Sequence, residues 1–554
     1  MSTSMLALLA FIPIISAAIM LIAFRIPAKR AMPISFAITA AVAFFGWDIP
    51  STYILASTIQ GLFITFDILY IVFGAIVLLN LLKYSRAIKV IRAGFTDISE
   101  DRRIQVIIIV WLFGSFIEGA AGFGTPAAVV APLLVGLGFP TFCAVMLGMM
   151  VQSTAVTFGA VGTPILVGIA GGVQSPELTA ELASSGMEFS EFIQAVTSKV
   201  VIVHGITGTL MPTIMICMMT RFFGKNKSWK EGLEVLPFTI LGGLAFTIPY
   251  ALTGIFLGPE FPSLLGSLVG MVIVVLAAKK GIFMPKKTWD FDDEKNWSSS
   301  WIGTLKVTLD DEPSEKRMSL ARAWIPYLLL AFFLVLSRLT QLPIKGWLTS
   351  LQLPWNEILG TTISAASKPL YLPGTILLLV GLITIWLHKM KSDQVKTAFF
   401  DSAKMIFGAG VVLIFTVPMV RIYINSGASS TELPGMPIAM AEWVSASVGN
   451  IYPLFAGAIG ALGAFIAGSN TVSNLMFGLF QFGVAMKLAM PSTVIVALQA
   501  VGAAAGNMIA IHNIVAASAT VGFLGNEGMI LRKTIIPTLY YLTMIGIIGL
   551  IMVG

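Results

Sequence analysis

Apolar stretches of about 20 residues, the length that crosses a bilayer as a helix, recur along most of the chain. Short polar segments separate them. The pattern predicts an all-α polytopic membrane protein with about twelve transmembrane helices. The predicted spans are residues 4–24, 31–47, 62–83, 139–171, 198–221, 236–257, 262–278, 322–340, 370–388, 400–421, 491–525 and 534–553.

Two further apolar stretches, 105–138 and 450–488, are too long for one span, and glycine or polar residues interrupt each near its middle. We expect each to form a re-entrant helical hairpin that enters and leaves on one side of the membrane. Backbone that leaves a helix at membrane depth is tolerated only where protein or a water-filled cavity covers its polar groups. Paired breaks in two halves of a polytopic chain point to the binding site of a secondary transporter.

The two hairpins have the pattern of an internal repeat. Gly114 pairs with Gly463, and downstream Gln152 pairs with Gln499 at nearly the same offset. Because an odd number of predicted spans separates the hairpins, the second copy is expected to be inverted. Within a single transporter of residues 1–554, the repeats, each a hairpin followed by a broken helix, are predicted at 105–230 and 400–554.

Composition and loop charge fit an integral membrane protein. The chain is 57% hydrophobic and 11% charged, whereas soluble domains carry about 25% charged residues. Lys and Arg cluster at 83–103 and 221–230, while 172–195 contains Glu but no Lys or Arg. Placing the basic loops and the long polar loop 279–321 in the cytoplasm puts both termini outside. We therefore interpret the net charge of +7 as a topological bias, with no nucleic acid as a partner.

Several breaks are followed by residues typical of a helix start. Thr precedes Pro at Thr125 and Thr163, and Ser469, Asn470 and Thr471 follow Gly468. Thr and Ser are good N-caps, and Pro suits the first helical turn. Half-helices that begin inside the membrane direct free N–H groups and positive dipole ends at one another, which makes an anion site. The alternative is that the glycines merely allow close helix packing.

The predicted substrate site combines glycines for close backbone approach, hydroxyls and carboxamides. The N–H groups of Thr125, Thr163 and Thr471 are expected to hold a carboxylate. The side chains of Ser469 and of the asparagines are expected to bind the substrate's polar groups. The complete predicted set is Gly122, Gly124, Thr125, Thr163, Ser469, Asn470, Thr471, Asn474, Asn507 and Asn513.

Ionisable residues inside apolar segments are functional candidates because their burial is costly. Glu118 at the first break and His512 after the last are the predicted proton-coupling residues. Alternatively, Glu118 forms hydrogen bonds with the backbone groups that the break leaves free. The alternative for His512 is a purely structural role. Arg421 is expected to anchor a helix end at the interface, with the balancing of a substrate carboxylate as the alternative. His388 is expected to mark a cytoplasmic edge.

Four alternatives to a proton-coupled transporter can be compared with this pattern. Neutral oxygens and exposed carbonyls would also suit Na⁺ as the coupling ion. A channel would show flux without dependence on an ion gradient. A membrane-embedded enzyme needs paired carboxylates or a Ser/His/Asp set within the spans, and a nucleotide-driven pump needs a phosphate-binding fingerprint. The sequence predicts neither of the last two, and it predicts no cofactor and no metal.

At these residues the sequence resembles the L-lactate permease family. The string Glu118–Gly124 resembles the most recognisable motif of that family, and 131–139, 468–474, 505–508 and 519–527 continue the likeness. The resemblance implies uptake of L-lactate, D-lactate or glycolate by proton symport across a bacterial inner membrane. The paired hairpins are also similar to wider ion-transporter folds, which implies an elevator-like movement of a transport domain against a scaffold domain, and a homodimer.

The chain departs from that family at four positions. Familiar members have an acid where this chain has Asn470, a lysine where it has Asn507, and Pro-Gln where it has His512 and Asn513. Loss of the acid and the lysine together leaves the net charge of the site unchanged. The resemblance therefore implies the family more firmly than it implies the substrate or the coupling ion.

Overall fold

Regular structure in the chain is almost entirely helical. The computed structural model describes residues 3–24, 26–96, 98–122, 124–304, 318–338, 342–427 and 433–554. Within them, one short antiparallel sheet pairs β1 (Leu353–Trp355) with β2 (Ala365–Ser367). Residues 305–317 of the predicted cytoplasmic loop lie outside the described residues.

The helices follow in chain order. Those before residue 280 are α1 (Thr3–Ala18), α2 (Ala28–Ala41), α3 (Ser51–Tyr84), α4 (Ala87–Thr96), α5 (Arg102–Gln105), α6 (Ser115–Ala121), α7 (Thr125–Gly136), α8 (Thr141–Met150), α9 (Gly159–Thr163), α10 (Ala170–Val173), α11 (Pro176–Ser185), α12 (Phe189–Gly208), α13 (Met211–Phe223), α14 (Trp229–Leu233), α15 (Leu236–Phe256) and α16 (Pro262–Lys279). Those after it are α17 (Leu320–Arg338), α18 (Ile344–Ser350), α19 (Pro373–Leu387), α20 (Ser392–Ile424), α21 (Met436–Val448), α22 (Pro453–Ala467), α23 (Asn470–Lys487), α24 (Ser492–Asn507), α25 (Ile511–Thr520) and α26 (Glu527–Val553).

Twelve helical segments in the described part of the chain are long and apolar enough to cross a membrane. The prediction of an all-α protein with about twelve such spans is confirmed, although some of the segments that form these spans differ from the predicted ones. The predicted span 370–388 is the shorter helix α19, and the predicted span 139–171 is divided into α8 and a separate segment, Ala155–Val173. The arm Arg102–Ala121 of the first predicted hairpin is long enough to count among the twelve.

The first predicted hairpin is a helix, a break and a second helix. A π-helical segment, Val106–Gly114, joins α5 to α6 into one continuous arm. The arm ends at Gly122, and α7 packs back against it. Gly122 has φ +62° and Gly124 has φ +75°, conformations that glycine adopts without a Cβ clash. Two such residues turn the chain sharply between the arms.

The second predicted hairpin has the same plan with different arms. Helix α22 ends at Ala467, Gly468 adopts a left-handed φ of +63°, and α23 begins at Asn470 and packs against α22. The first arm of this hairpin has 15 residues and the second has 18. Helix, glycine break and helix therefore occur in both stretches, as predicted. That the hairpins are re-entrant and inverted stays a prediction.

In each half of the chain, an interrupted helical stretch follows the helix–glycine–helix segment. In the first half, the short 3₁₀ segment Ala155–Phe158 follows α8, and three left-handed residues, Ala160, Val161 and Gly162, then reverse the backbone. Helical structure resumes as a π-helical segment from Pro164. In the second half, α24 ends at Asn507 and α25 begins at Ile511. Both breaks are enclosed by protein, since Ala155–Val173 and 492–510 are almost entirely buried.

The first arm of the first hairpin lies inside the protein. Every residue from Arg103 to Gly122 is buried, in contrast to peripheral spans such as α17 and α26, where 39% of the span window is buried. Backbone leaving a helix at membrane depth needs such a cover to satisfy its polar groups. The fold therefore surrounds the first break with protein.

Candidate functional site

The tip of the first hairpin meets both broken helices. A Cβ on Gly122 would lie 2.8 Å from the amide nitrogen of Ala160, which belongs to the first broken helix. A Cβ on Gly124 would lie 2.9 Å from Asn513 Oδ1, on the second broken helix. Only residues without a side chain allow these approaches at the observed backbone positions.

The tip of the second hairpin also meets both broken helices. His512 Nε2 lies 2.8 Å from the carbonyl oxygen of Gly468, which connects the tip to the second broken helix. Asn470 Nδ2 donates to Thr157 Oγ1 at 3.3 Å, which connects it to the first. The structure thus brings the four breaks to one place, and with them most of the predicted substrate-site residues.

The first helix restart is built differently from the prediction. Gly124 is the N-cap of α7 and Thr125 is its first helical residue, so the predicted N-cap at Thr125 is wrong. The Thr125 N–H donates to Gly122 O at 3.1 Å, and the Thr125 hydroxyl donates to the same oxygen at 2.7 Å. Because the turn itself uses both groups, the Thr125 N–H is not free to hold a carboxylate in this conformation.

The other two restarts are closer to the prediction. Thr163 is the N-cap before Pro164, but its hydroxyl donates to Ala160 O at 2.6 Å and so stabilises the left-handed turn. Ser469 caps α23 as predicted, with its hydroxyl oxygen accepting from Val472 N–H at 3.4 Å. The N–H groups of Asn470 and Thr471 lie in the first turn of α23, where no carbonyl of the same helix can accept from them.

Glu118 lies one turn before the first break and is fully buried. Neither of its carboxyl oxygens has a hydrogen-bond partner among the described residues. It contacts Gly159, where a Cβ would collide with Glu118 Oε1. The alternative prediction, that Glu118 bonds backbone freed by the break, is therefore wrong in this conformation. A buried carboxyl group without a partner is costly, which marks it as a functional candidate.

The hydrogen-bonding groups of the predicted asparagines are only partly satisfied. Asn474 Nδ2 donates to Asn470 Oδ1 at 2.7 Å and to Pro164 O at 3.1 Å. Asn513 Nδ2 donates to Gln152 Oε1 at 3.2 Å. The Oδ1 atoms of Asn474 and Asn507 are buried and have no partner in the described part of the chain. These two oxygens can accept hydrogen bonds from a hydroxyl group or coordinate a cation.

The three histidines occupy different environments. His512 is exposed at the second tip, and His204 is fully buried between two hydroxyl groups. His388 follows α19, outside the spans, and bonds Ser85 Oγ at 2.9 Å and the backbone oxygen of Arg322 at 3.1 Å. Burial lowers the pKa of His388. This residue joins three segments of chain far from the breaks.

Arg421 is buried, so the prediction of an interfacial anchor is wrong. Its exposed fraction is 2%, and its guanidinium donates to Gln60 Oε1 at 2.7 Å and to Gly171 O at 2.9 Å. Gly171 lies near the C-terminal end of the helical segment that starts at Pro164, where cations interact favourably with the helix dipole. Arg421 therefore stabilises the opposite end of a half-helix whose start lies at the breaks.

Sequence reasoning missed several polar residues around the breaks. Thr157, His204 and Tyr541 form a buried hydrogen-bonded group that reaches Asn470. Gln499 Nε2 donates to Ser473 Oγ at 3.0 Å, behind the second tip. For Thr157, His204 and Tyr541 the sequence signal is a polar side chain within an apolar segment, and for Gln499 it is also the repeat pairing with Gln152.

Comparisons with known proteins add a family to this geometry. The profile of the family described as L-lactate permease matches residues 6–554. The L-lactate permease of Escherichia coli (strain K12) is 29% identical over 570 residues, covering 98% of this chain and 95% of that protein. The glycolate permease GlcA of the same organism is 28% identical over 574 residues, covering 98% and 95%.

One solved structure is similar in outline. The YdaH transporter of Alcanivorax borkumensis covers 87% of this chain and 84% of its own, with a TM-score of 0.41 and 13% identity. A likeness at that level supports no inference about the site.

Proposed function

The chain belongs to the L-lactate permease family, a family of transporters and not of enzymes, and we propose that it imports L-lactate or a related small 2-hydroxy monocarboxylate by proton symport. D-Lactate and glycolate belong to the same chemical class. The observation that carries the proposal is the meeting of four chain breaks at one place, with two buried carboxamide oxygens and one buried carboxyl group that have no hydrogen-bond partner among the described residues.

The anion is proposed to bind at the second tip. The N–H groups of Asn470 and Thr471 lie at the start of α23, where the helix dipole favours negative charge. Thr163 at the start of the first half-helix contributes from the opposite half. Gly122 and Gly124 allow the first tip to close over the ligand, with Thr125 fixing the turn and Ser469 the cap.

The substrate hydroxyl is proposed to bind to carboxamides. Asn474 Oδ1 and Asn507 Oδ1 lack partners in the described structure and can each accept a hydrogen bond. Asn513 faces the first tip at Gly124 and is placed to contact the ligand there. A site that pairs a substrate hydroxyl disfavours an analogue lacking it, because the polar groups of the site are then left unpaired.

Proton transfer between water and the site is proposed to use Glu118 or His512. Glu118 is buried beside the first break, and His512 is exposed at the tip of the second hairpin. Sodium is the second candidate for the coupling ion, favoured by the unpartnered neutral oxygens of Asn474 and Asn507. No cofactor takes part in the proposed mechanism.

The wider arrangement proposed for the protein follows the sequence prediction. Inverted units at 105–230 and 400–554 move the site across a bacterial inner membrane by an elevator-like motion, in a homodimer with both termini outside. The covered first arm and the long helices α3 and α20, which pack against each other, are compatible with a transport body and a scaffold.

Counterflow in proteoliposomes tests the proposal. Vesicles loaded with unlabelled L-lactate should take up labelled L-lactate, with competition by D-lactate and glycolate and weaker competition by propionate, which lacks the hydroxyl. An inward proton gradient should drive accumulation without sodium. Accumulation driven by a sodium gradient alone would replace proton coupling with sodium coupling. Absence of counterflow with every hydroxy acid would overturn the proposed substrate class.

A further inference from the structure

A buried network of hydrogen-bonded polar side chains lies beside the proposed site, and the mechanism proposed above does not use it. Thr154 Oγ1 lies 2.9 Å from Tyr541 Oη, and Tyr541 Oη lies 2.7 Å from His204 Nδ1. On the other side of the ring, His204 Nε2 lies 2.8 Å from Thr157 Oγ1. All four side chains are buried, and they come from three separate parts of the sequence.

This hydrogen-bonded network ends at the tip of the second hairpin. Thr157 Oγ1 accepts from Asn470 Nδ2 at 3.3 Å, and Asn470 Oδ1 accepts from Asn474 Nδ2 at 2.7 Å. Asn470 is one of the two residues whose N–H groups are proposed to hold the substrate carboxylate. A change at His204 therefore reaches the proposed anion site through one hydroxyl group.

The neutral imidazole of His204 fits the hydrogen-bonded network in both of its tautomers. With the proton on Nδ1, Thr157 donates to His204, His204 donates to Tyr541, and Tyr541 donates to Thr154. With the proton on Nε2, each of these bonds reverses, and the Thr157 hydroxyl donates to Ala500 O, which lies 3.4 Å away. Every ring nitrogen is satisfied in either arrangement.

The protonated imidazole fits equally well. Its Nδ1–H donates to Tyr541 and its Nε2–H donates to Thr157, while the hydroxyls of these partners donate onward to Thr154 and Ala500 O. A buried charge is tolerated where such hydrogen bonds surround it. The surroundings of His204 therefore accept the ring with or without an added proton.

In the part of the chain that the structure describes, no lysine or arginine side chain takes part in the hydrogen bonds at the four breaks. In the hydrogen bonds described at the four breaks, each side-chain partner is a hydroxyl, a carboxamide or an imidazole. The nearest described guanidinium along the half-helix, Arg421, bonds its opposite end at Gly171 O. A bound carboxylate needs a compensating charge in a buried site.

We propose that His204 is the proton-binding residue that balances the substrate anion, and that Thr157 transmits its charge to Asn470. This inference rests on the proposed function and deepens it. Glu118 or His512 passes protons between water and the site, whereas His204 holds the proton while the anion is bound. When His204 takes up a proton, Thr157 accepts from Nε2–H and the anion gains a counter-charge behind Asn470.

The other titratable groups around His204 leave the assignment clear. On α15 and α26 the groups facing it are the phenols of Tyr250, at a ring-centroid distance of 6.0 Å, and Tyr541, at 5.7 Å. Tyr540 on α26 donates to Thr207 O instead. Helix α24 and the segment Pro164–Ile169 contain no titratable residue, and Lys199 on α12 itself is part-exposed. Glu118 contacts the same stretch of chain as Thr157, at Gly159.

The test measures the affinity for L-lactate in proteoliposome counterflow at equal internal and external pH, from pH 5.5 to 8.5. If one proton binds with each anion, the apparent affinity of the wild type falls about tenfold per pH unit once His204 loses its proton. His204→Gln should give one weak affinity at every pH, without the tenfold change per pH unit of the wild type. A variant with weakened transport but the wild-type pH slope would overturn the proposal, since it would show a merely structural role.

Two neighbouring tyrosines supply a matched pair. Tyr541→Phe removes the acceptor of Nδ1–H, so the midpoint of the pH profile should move to lower pH by about one unit, the worth of one hydrogen bond to a charged group. Tyr540→Phe removes a phenol bonded only to backbone and should keep the wild-type profile. Equal profiles for the two variants would contradict the role of His204, and this comparison remains decisive if His204→Gln fails to fold.

Failure of the proposed function would give a different experimental result from failure of the inference about His204. If wild-type protein shows no counterflow with any hydroxy acid, the substrate proposal fails before the variants are compared. If wild-type counterflow is present but its affinity does not change with pH, the inference about His204 fails while the proposed substrate class stands.

Discussion

The two hairpin tips solve the same backbone problem with different chemistry. At the first tip two glycines of positive φ, Gly122 and Gly124, turn the chain, and one turn before them lies Glu118, whose buried carboxyl group has no hydrogen-bond partner among the described residues. At the second tip a single Gly468 is followed by a hydroxyl cap at Ser469 and by hydrogen-bonded carboxamides. One tip offers an acid and the other offers neutral donors and acceptors.

We propose that this difference divides the transport reaction between the two hairpins. Both tips contact both broken helices, so each is placed to affect the same ligand. The acid side is suited to exchanging a proton, and the amide side is suited to binding carboxylate and hydroxyl oxygens. The following variants break or sharpen that comparison.

Gly122→Ala should have the largest effect. Gly122 has φ +62° and ψ −159°, a region open almost only to glycine, and its Cβ would meet Ala160 N and Cβ at 2.8 Å. Backbone strain and the backbone collision together should cost about 2–5 kcal/mol of folding free energy. Thermal unfolding in detergent and counterflow measure the loss.

Gly449→Ala is the matched control for that variant. Gly449 has nearly the same backbone, φ +63° and ψ −147°, but a Cβ there meets nothing within 4 Å. Backbone strain alone should lower its free energy of unfolding, by about 1–3 kcal/mol, and the variant should keep transport. Equal losses in the two variants would show that the close contact between the first tip and Ala160 is not important.

Gly468→Ala should come next. Gly468 has a left-handed φ of +63° and ψ of 26°, and a Cβ would collide with the His512 ring. Because His512 is an exposed side chain, it can move aside at the loss of its bond to Gly468 O, so we expect about 2–3 kcal/mol in unfolding free energy. Gly186→Ala, at φ +67° and ψ 21° with nothing within 4 Å, isolates the strain.

Asn474→Ala should cost somewhat less and should act on transport. It leaves Pro164 O and Asn470 Oδ1 without their donor, which is worth about 1–3 kcal/mol when the acceptors are buried. In this variant the affinity for L-lactate should fall, and the stability should fall as well. Asn226→Ala removes an exposed carboxamide bonded to Glu231 and should change stability by less than about 0.5 kcal/mol. Wild-type affinity in Asn474→Ala would remove the second tip from the site.

Glu118→Gln should affect coupling more than stability. The substitution removes a group that can ionise in a buried position without partners, so folding should be preserved. Proton-driven net uptake should fall about tenfold more than exchange, because only net uptake requires release of the proton. Glu100→Gln changes an exposed acid and is the control. Full net uptake in Glu118→Gln would assign proton exchange to His512 or exclude it.

Local signals explain which parts of this arrangement the sequence predicts. Glycine, Thr-Pro and Ser-Asn-Thr are short-range determinants, so the hairpins and both helix breaks could be located from residues adjacent in the chain. The role of Thr125 could not, because two left-handed glycines before it move the cap to Gly124. That detail depends on backbone angles and not on residue type.

Long-range packing explains what the sequence does not predict. Arg421 ends a span, a position typical of an interfacial anchor, but its partner Gln60 lies on α3, far away in the sequence. His204 gains its role from Tyr541 and Thr157 on other helices. Such contacts exist only after the helices pack, so periodicity and composition give no sign of them.

A structure of the protein with bound L-lactate, determined by electron cryo-microscopy, tests the central claim most directly. We predict ligand density between Gly122 and Ser469, with the carboxylate within hydrogen-bond distance of the N–H groups of Asn470 and Thr471. Lactate bound away from the four breaks, or tips that do not meet, would contradict the account.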